Sequence, residues 1–111
     1  MKILKTNINI EELLPYREFD REANPAPRIP FCQMYNVDEV RGFIEEGGTI
    51  EPLELSVFED KALLTDGNHR IAALKQLGVT IVEVLVTYYD TIEELSTVFY
   101  PQTVSRFKCV N

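Results

Sequence analysis

The spacing of apolar residues changes along the chain, and the central part predicts a β-hairpin. Between Leu53 and Phe58 apolar residues occupy every second position, a period of two that is typical of a strand. The turn-forming residues 59–61 follow. We therefore expect residues 62–65 to return antiparallel as the second strand of the hairpin.

A helix and a further strand are predicted after the hairpin. Ile71, Leu74 and Leu77 recur at helical spacing, and a glycine follows where the helix should end. Residues 80–89 are apolar almost throughout and rich in β-branched and aromatic side chains, which predicts a strand buried on both faces. Because a helix links this strand to residues 62–65, we expect the two strands to be parallel.

The flanking sequence predicts further elements around this centre. They are a strand over residues 2–5, a helix over 10–14 capped by Asn7 or Asn9 and ended by Pro15, a helix from Asn36 or Asp38 to Gly47, a helix capped by Asp90 or Thr91 and ended by Pro101, and an edge strand within 105–110. Together they predict a single domain over residues 1–111. Its class is α+β, with a small mixed sheet and helices packed around it.

One segment follows neither period. Residues 17–36 contain three prolines and three arginines, namely Pro25, Pro27, Pro30, Arg17, Arg21 and Arg28. We expect a surface loop here. Loops of this length are uncommon in compact domains and are often functional. The alternative interpretation is a lid over the turn at Gly67, with Arg28 reaching an anion bound there.

Composition and charge narrow the class of partner. Hydrophobic residues make up 45% of the chain, which favours a folded core over disorder, and no apolar run is long enough to span a membrane. The net charge of −7 argues against non-specific nucleic-acid binding and against an anionic membrane surface. A small anionic ligand remains compatible, because a local site can be positive on an acidic protein. A basic protein partner also remains compatible.

The few cysteine and histidine residues give further expectations. Cys32 and Cys109 do not make a disulfide framework, so we expect free, structural thiols and a cytoplasmic location. The start of the sequence lacks the long apolar region of a secretory signal. One histidine and no cysteine cluster give no zinc signature, so we expect no metal bound by the protein alone.

The most unusual polar chemistry lies where the hairpin passes through Asp66 and Gly67 into the predicted helix. A helix start leaves N–H groups unpaired and carries a partial positive charge, and Gly67 leaves it open to a phosphate or carboxylate. Asn68, His69 and Arg70 add hydrogen-bond donors at the same point. At about 100° per residue, Arg70 points toward the core and His69 well away from it. An arginine placed there needs a partner, either Asp66 or an anionic ligand.

The segment from Asp66 to Leu74, Gly78, and the apolar run from Ile81 to Val86 resemble the ParB/sulfiredoxin superfamily. In that family a Gly-x-[His/Arg]-Arg-x-x-Ala box opens a helix and contacts the phosphates of a nucleotide. The resemblance implies a ParB/sulfiredoxin-like fold over roughly residues 8–86. It also implies that the region around Arg28 contributes to the ligand pocket, and that phosphates are bound by Gly67, Asn68, His69 and Arg70.

Departures from the family pattern limit what the resemblance implies. Asn68 stands where sulfiredoxins carry their reacting cysteine, so reduction of a sulfinic acid is not expected. Asn68 and His69 replace the acid and the first arginine of chromosome-partitioning members, so neither CTP hydrolysis nor DNA clamping is expected. The Asp-Gly-x-His-Arg variant is similar to nucleotide-using kinases of small hydroxyl substrates. It is also similar to phage and bacterial proteins that are often labelled nucleases.

Two classes of function follow. The first is a nucleotide-dependent phosphotransferase or hydrolase, with Asp66 and His69 as catalytic residues beside a nucleoside tri- or diphosphate. Mg²⁺ arriving with the nucleotide would use Asp66, Glu51 or Glu54, and nothing selects among them. The alternative is a non-catalytic module that binds a nucleotide or anionic group and signals through a protein partner. A nuclease is the least expected class.

Overall fold

The computed structural model describes residues 1–24 and 36–110. In chain order its elements are β1 (Lys2–Asn9), α1 (Ile10–Leu13), a 3₁₀ turn (Leu14–Tyr16), α2 (Val37–Glu45), β2 (Leu53–Phe58), β3 (Lys61–Asp66), α3 (Asn68–Gln76), β4 (Ile81–Tyr89), α4 (Ile92–Val98), α5 (Pro101–Val104) and β5 (Lys108–Cys109). The predicted elements within these residues are therefore present. The two additions are the 3₁₀ turn, which contains Pro15, and α5, which begins at the proline that was expected only to end the preceding helix.

A five-stranded mixed sheet forms the centre of the fold, in the order β1-β4-β2-β3-β5. β2 and β4 pair in parallel, and the other neighbours pair antiparallel. The hairpin predicted between β2 and β3 is present, with a register shift between Glu54 and Leu55. The predicted α+β class, with a small mixed sheet and surrounding helices, is thus confirmed.

The predicted parallel orientation of β3 and β4 is wrong. β4 lies beyond β2 and runs parallel to β2, so it is antiparallel to β3. Glu54 pairs with Asp66 and Leu53 with Val84, which places the end of β3 and the start of β4 at the same end of the sheet. α3 therefore connects the end of β3 to the start of β4 at one end of the sheet. Strands joined by a helix are parallel only when the connection crosses from one end of the sheet to the other, and this connection does not.

The prediction that the strand at 80–89 is buried on both faces is also wrong. Val82, Val84 and Val86 are buried, whereas Ile81 is 55% exposed and Glu83 is exposed. The valines belong to a core cluster with residues of α1, β2, β3 and α3, namely Ile10, Leu13, Leu53, Leu64, Ile71 and Leu74. Most side chains on the other face of β4 stay at least partly open to solvent. An apolar sequence run alone did not show which face is covered.

The element ends agree with the predicted capping residues. Asn9, Asn36 and Thr91 accept hydrogen bonds from backbone N–H groups in the first turns of α1, α2 and α4. β1 is longer than predicted, because it pairs with β4 along its whole length, from Lys2 opposite Tyr88 to Asn9 opposite Ile81. The ladder, rather than local apolar content, sets the length of this strand.

Helix length and cysteine exposure are two further features of the fold. In the described parts of the chain, no helix has the length and apolar character needed to cross a bilayer. Cys109 is a free thiol as predicted, but it is exposed rather than buried. Cys32 lies outside the described residues.

Candidate functional site

The turn between β3 and α3 requires a glycine for two reasons. Gly67 is the N-cap of α3 and has a φ of +99°, a left-handed conformation that side chains disfavour. A Cβ atom at this position would also lie 2.5 Å from Cδ2 of the buried Leu53. The predicted passage from strand through a glycine turn to helix is therefore confirmed.

The start of α3 has no side-chain cap from Gly67. The first intrahelical bond runs from the Ile71 N–H to the Gly67 carbonyl oxygen, over 2.8 Å. The N–H groups of residues 68–70 precede it and belong to the set that has no acceptor within the helix itself. Their positive end faces the region where an anion was predicted.

Arg70 has internal partners. Its Nη2 atom lies 2.8 Å from Oδ2 of Asp66, and its Nη1 donates to the carbonyl oxygens of Glu51 (2.9 Å) and Pro52 (3.0 Å). The Arg70 side chain is only 17% exposed, whereas Asp66 is 58% exposed. Of the two predicted kinds of partner, Asp66 is thus present. Arg70 ties the start of α3 to the chain entering β2.

Asn68 uses its side-chain amide within the protein. It is buried, its Oδ1 accepts from the Phe19 N–H at 3.1 Å, and its Nδ2 donates to the Leu64 carbonyl oxygen at 3.2 Å. The amide therefore joins the irregular segment after residue 16 to the end of β3. The sequence predicted a ligand donor at Asn68, and it gave no sign of this bridging contact.

His69 is half-buried and lies near Arg21. Burial, and to a smaller extent the positive charge of Arg21, lower the pKa of His69 below its ordinary value of 6.5, so the ring is neutral at pH 7. The expectation that His69 points well away from the core is only partly met. His69 precedes Ala72 and Ala73, whose small side chains are buried against α2. Alanines give little periodic signal, so this second buried face was missed.

A cavity of about 570 Å³ opens beside the start of α3. Its lining includes the apolar residues Val40, Phe43 and Ile50. The lining also contains the whole predicted turn from Asp66 to Arg70. The structure therefore brings Asp66, Gly67, Asn68, His69 and Arg70 to a single cavity. Arg28 lies outside the described residues.

The cavity also contains residues that sequence reasoning missed. Glu18, Phe19 and Arg21 line it. The Phe19 ring contacts two guanidinium groups, with its centroid 4.2 Å from Cζ of Arg21 and 4.8 Å from Cζ of Arg106. Arg21 had been noted only as one of several arginines in the irregular segment. No spacing or motif in the sequence connects residues 17–21 with residues 66–70.

The acids around the cavity occupy different environments. Burial raises the pKa of Glu18, and the charge of Arg106 opposes that rise. Burial, followed by the neighbouring Asp66 carboxylate, also raises the pKa of Glu54. Glu51 and Asp66 line the cavity. Within residues 1–24 and 36–110, no cluster of three or more His, Cys, Asp or Glu side chains is arranged to hold a metal ion.

No protein-family model and no curated protein matches this chain. Among solved structures, a Pnob8-like ParB-N domain matches 86% of this chain with a TM-score of 0.57 and 21% sequence identity, and the match covers 34% of that chain. Sulfiredoxin from Arabidopsis thaliana matches 85% with a TM-score of 0.56 and 17% identity, and 94% of that chain is covered. The predicted ParB/sulfiredoxin-like fold is confirmed. The chain spans about a third of the length of the ParB-N structure.

Proposed function

We propose that this protein binds the phosphate groups of a nucleoside tri- or diphosphate at the start of α3. The observation that carries the proposal is the cavity of about 570 Å³ that contains the Gly67-capped helix start together with His69, Arg70 and Arg21. Its volume lies within the roughly 300–1,000 Å³ typical of small-molecule sites. The helix start supplies N–H donors and a partial positive charge to an anion.

The cavity lining combines residues that suit the two ends of a nucleotide. The apolar residues Val40, Phe43 and Ile50 suit a nucleoside base, and the polar residues from Asp66 to Arg70 suit phosphates. The family resemblance carried by the box from Asp66 to Arg70 supports the same placement of the phosphates. Arg21 adds a positive charge on the cavity wall, and this charge is independent of the box.

Acidic residues on the cavity wall are compatible with a nucleotide that carries Mg²⁺. Asp66 and Glu51 both line the cavity, and Mg²⁺ in such sites needs only one or two protein carboxylates. The ion would be held by these carboxylates and would neutralise charge on the phosphates. The internal ion pair of Asp66 with Arg70 still leaves Asp66 more than half exposed.

A titration tests the binding proposal. We expect nucleoside triphosphates with Mg²⁺ to raise the melting temperature through binding to the folded state, and calorimetry to give a saturable isotherm. Arg21→Ala should weaken binding. Arg41→Ala is the matched control, because Arg41 pairs with Asp38 on the outer side of α2. The proposal fails if no nucleotide stabilises the wild-type protein.

Turnover is the second question at the same site. Asp66 and His69 line the cavity, which favours a phosphotransferase or hydrolase with these two as acid–base groups. The internal contacts of Asn68 and Arg70 favour the alternative, a module that binds without turnover and acts through a protein partner. Phosphate release, or phosphoryl transfer to a hydroxyl acceptor, measured for wild type and His69→Ala separates the two classes. We expect the protein to act in the cytoplasm of a bacterium or phage-infected cell.

A further inference from the structure

Glu18 is a buried acid on the cavity wall that the proposed phosphate site does not use. Only 10% of its side chain is exposed. Within the described residues its charged partner is Arg106, whose Nη1 lies 3.7 Å from Oε1, which is beyond hydrogen-bonding distance. A buried carboxylate normally accepts several hydrogen bonds. Among residues 1–24 and 36–110, Glu18 therefore has a charged partner in Arg106 but no hydrogen-bond donor within reach.

The backbone next to Glu18 is joined to the helix start by a hydrogen bond. The N–H of the next residue, Phe19, donates to Oδ1 of Asn68 over 3.1 Å, and Asn68 is the first residue of α3. Glu18, Phe19 and Asn68 all line the same cavity. A ligand group bound by Glu18 would thus lie close to a phosphate bound at the start of α3.

The surroundings of Glu18 favour a neutral donor over a cation. The guanidinium groups of Arg21 and Arg106 both contact the Phe19 ring, and both charges act on the Glu18 carboxyl group. An ammonium group entering here would meet two positive charges. A hydroxyl group supplies a hydrogen bond without this repulsion.

We infer that Glu18 binds the ribose hydroxyl groups of the nucleotide. This inference rests on the proposed function. The sugar is joined directly to the phosphates, so phosphates at the start of α3 bring the ribose toward Glu18. A carboxylate accepting hydrogen bonds from ribose hydroxyls is an established mode of nucleotide recognition. The cavity is therefore selective for ribonucleotides over deoxyribonucleotides.

The experiment compares ribonucleoside triphosphates with their 2′-deoxy and 3′-deoxy forms, with Mg²⁺, by calorimetric titration. We expect wild type to bind the ribose form about tenfold or more tightly, as for a hydrogen bond to a charged group. Glu18→Gln keeps an acceptor oxygen but loses the charge, so its preference for the ribose form should fall to about threefold. Glu12→Gln, which removes an exposed acid of α1, is the matched control and should retain the preference.

The outcomes separate this inference from the proposal on which it rests. Equal affinity of wild type for ribose and both deoxy forms overturns the role of Glu18 and leaves phosphate binding standing. Absence of binding by any nucleotide overturns both. The comparison of ligands uses wild-type protein, so it decides the question even if Glu18→Gln lowers the melting temperature.

Discussion

The cavity has two polar walls that are held in different ways. The first, residues 66–70, is called the box wall, and the second, residues 17–21, is called the segment wall. The box wall is continuous with buried parts of β3 and α3, and its ion pair joins residues only four positions apart, Asp66 and Arg70. The segment wall is held by side chains far away in sequence, including Asn68 and Lys108.

This difference indicates how the two walls should respond to change. The box wall forms whenever β3 and α3 fold, because Leu64 and Ile71 on either side of it belong to the main core. The segment wall depends on a few hydrogen bonds, several of them exposed, and such regions open at lower free-energy cost than core elements. A site shared by both walls can therefore lose one wall without global unfolding.

Disrupting the box wall should cause the largest loss in the free energy of unfolding. Gly67→Ala forces a side chain into the left-handed conformation and against Leu53, and we expect a loss of about 3 kcal/mol in the free energy of unfolding. Urea denaturation monitored by circular dichroism measures this loss. The expected loss is a large fraction of the stability of a domain of this size.

Gly78→Ala is the matched control for that substitution. Gly78 has a φ of +76°, but nothing lies within 4 Å of the position that an added Cβ atom would take, so only backbone strain of about 1 kcal/mol is expected. Equal losses for the two variants would contradict the role of the contact with Leu53.

The next largest effect tests the link between the walls. Asn68→Ala leaves the Leu64 carbonyl and the Phe19 N–H without their partner, and we expect a loss of about 2 kcal/mol. Hydrogen exchange should speed up more in residues 17–21 than in α3. Asn7→Ala on the exposed part of β1 is the control and should change neither quantity. Uniformly faster exchange across the chain would mean that Asn68 is part of the global core rather than a link.

A smaller loss of stability is expected when the contacts between Lys108, near the C-terminus, and the segment wall are removed. Nζ of Lys108 donates to the carbonyl oxygens of Pro15 (3.1 Å) and Arg17 (2.9 Å). Lys108→Met keeps the aliphatic stem and removes both bonds, which should cost about 0.5 kcal/mol because the contacts are exposed. Hydrogen exchange of residues 17–21 measures the local effect. Lys2→Met is the control, and an unchanged exchange rate in Lys108→Met would show that Lys108 does not hold the segment.

The same contrast explains how far the sequence predicted the molecule. Periodicity, turn chemistry and caps act within a few residues, so the hairpin, α3 and the caps at Asn9, Asn36 and Thr91 were predicted correctly. The orientation of β4 relative to β3 depends on which distant strand β4 pairs with, and the predicted parallel orientation was wrong.

For the candidate site, too, local features were predicted and long-range contacts were not. The box wall was predicted because its residues are adjacent in sequence and include a glycine turn. Glu18 and Phe19 in the segment wall were not predicted, since their place depends on Asn68, 49 positions away from Phe19. Sequence spacing carries no signal for such a contact.

The smallest change in stability is expected from protonation of His69, which belongs to the box wall and lies near Arg21 of the segment wall. Its pKa is lowered in the folded protein, so below pH 6.5 the unfolded chain binds more protons than the folded one. The part of the free energy of unfolding that depends on a neutral His69 ring should therefore be fully present above pH 6.5. It should decrease as the pH drops toward the pKa of His69 in the folded protein. His69 is the single histidine, so the signal can be isolated by comparison with His69→Gln.

Melting temperatures of wild type and His69→Gln between pH 7.5 and 5 test this directly. As the pH falls, the melting temperature of wild type should decrease relative to that of His69→Gln. A difference in melting temperature that stays constant with pH would mean that the two walls do not exclude water from the ring. An NMR titration of the ring protons should give a pKa below 6.5 without ligand. Phosphates bound at the start of α3 would stabilise the imidazolium and raise that pKa. A nucleotide that binds without moving the titration curve must therefore lie away from His69, which would remove this residue from the proposed site.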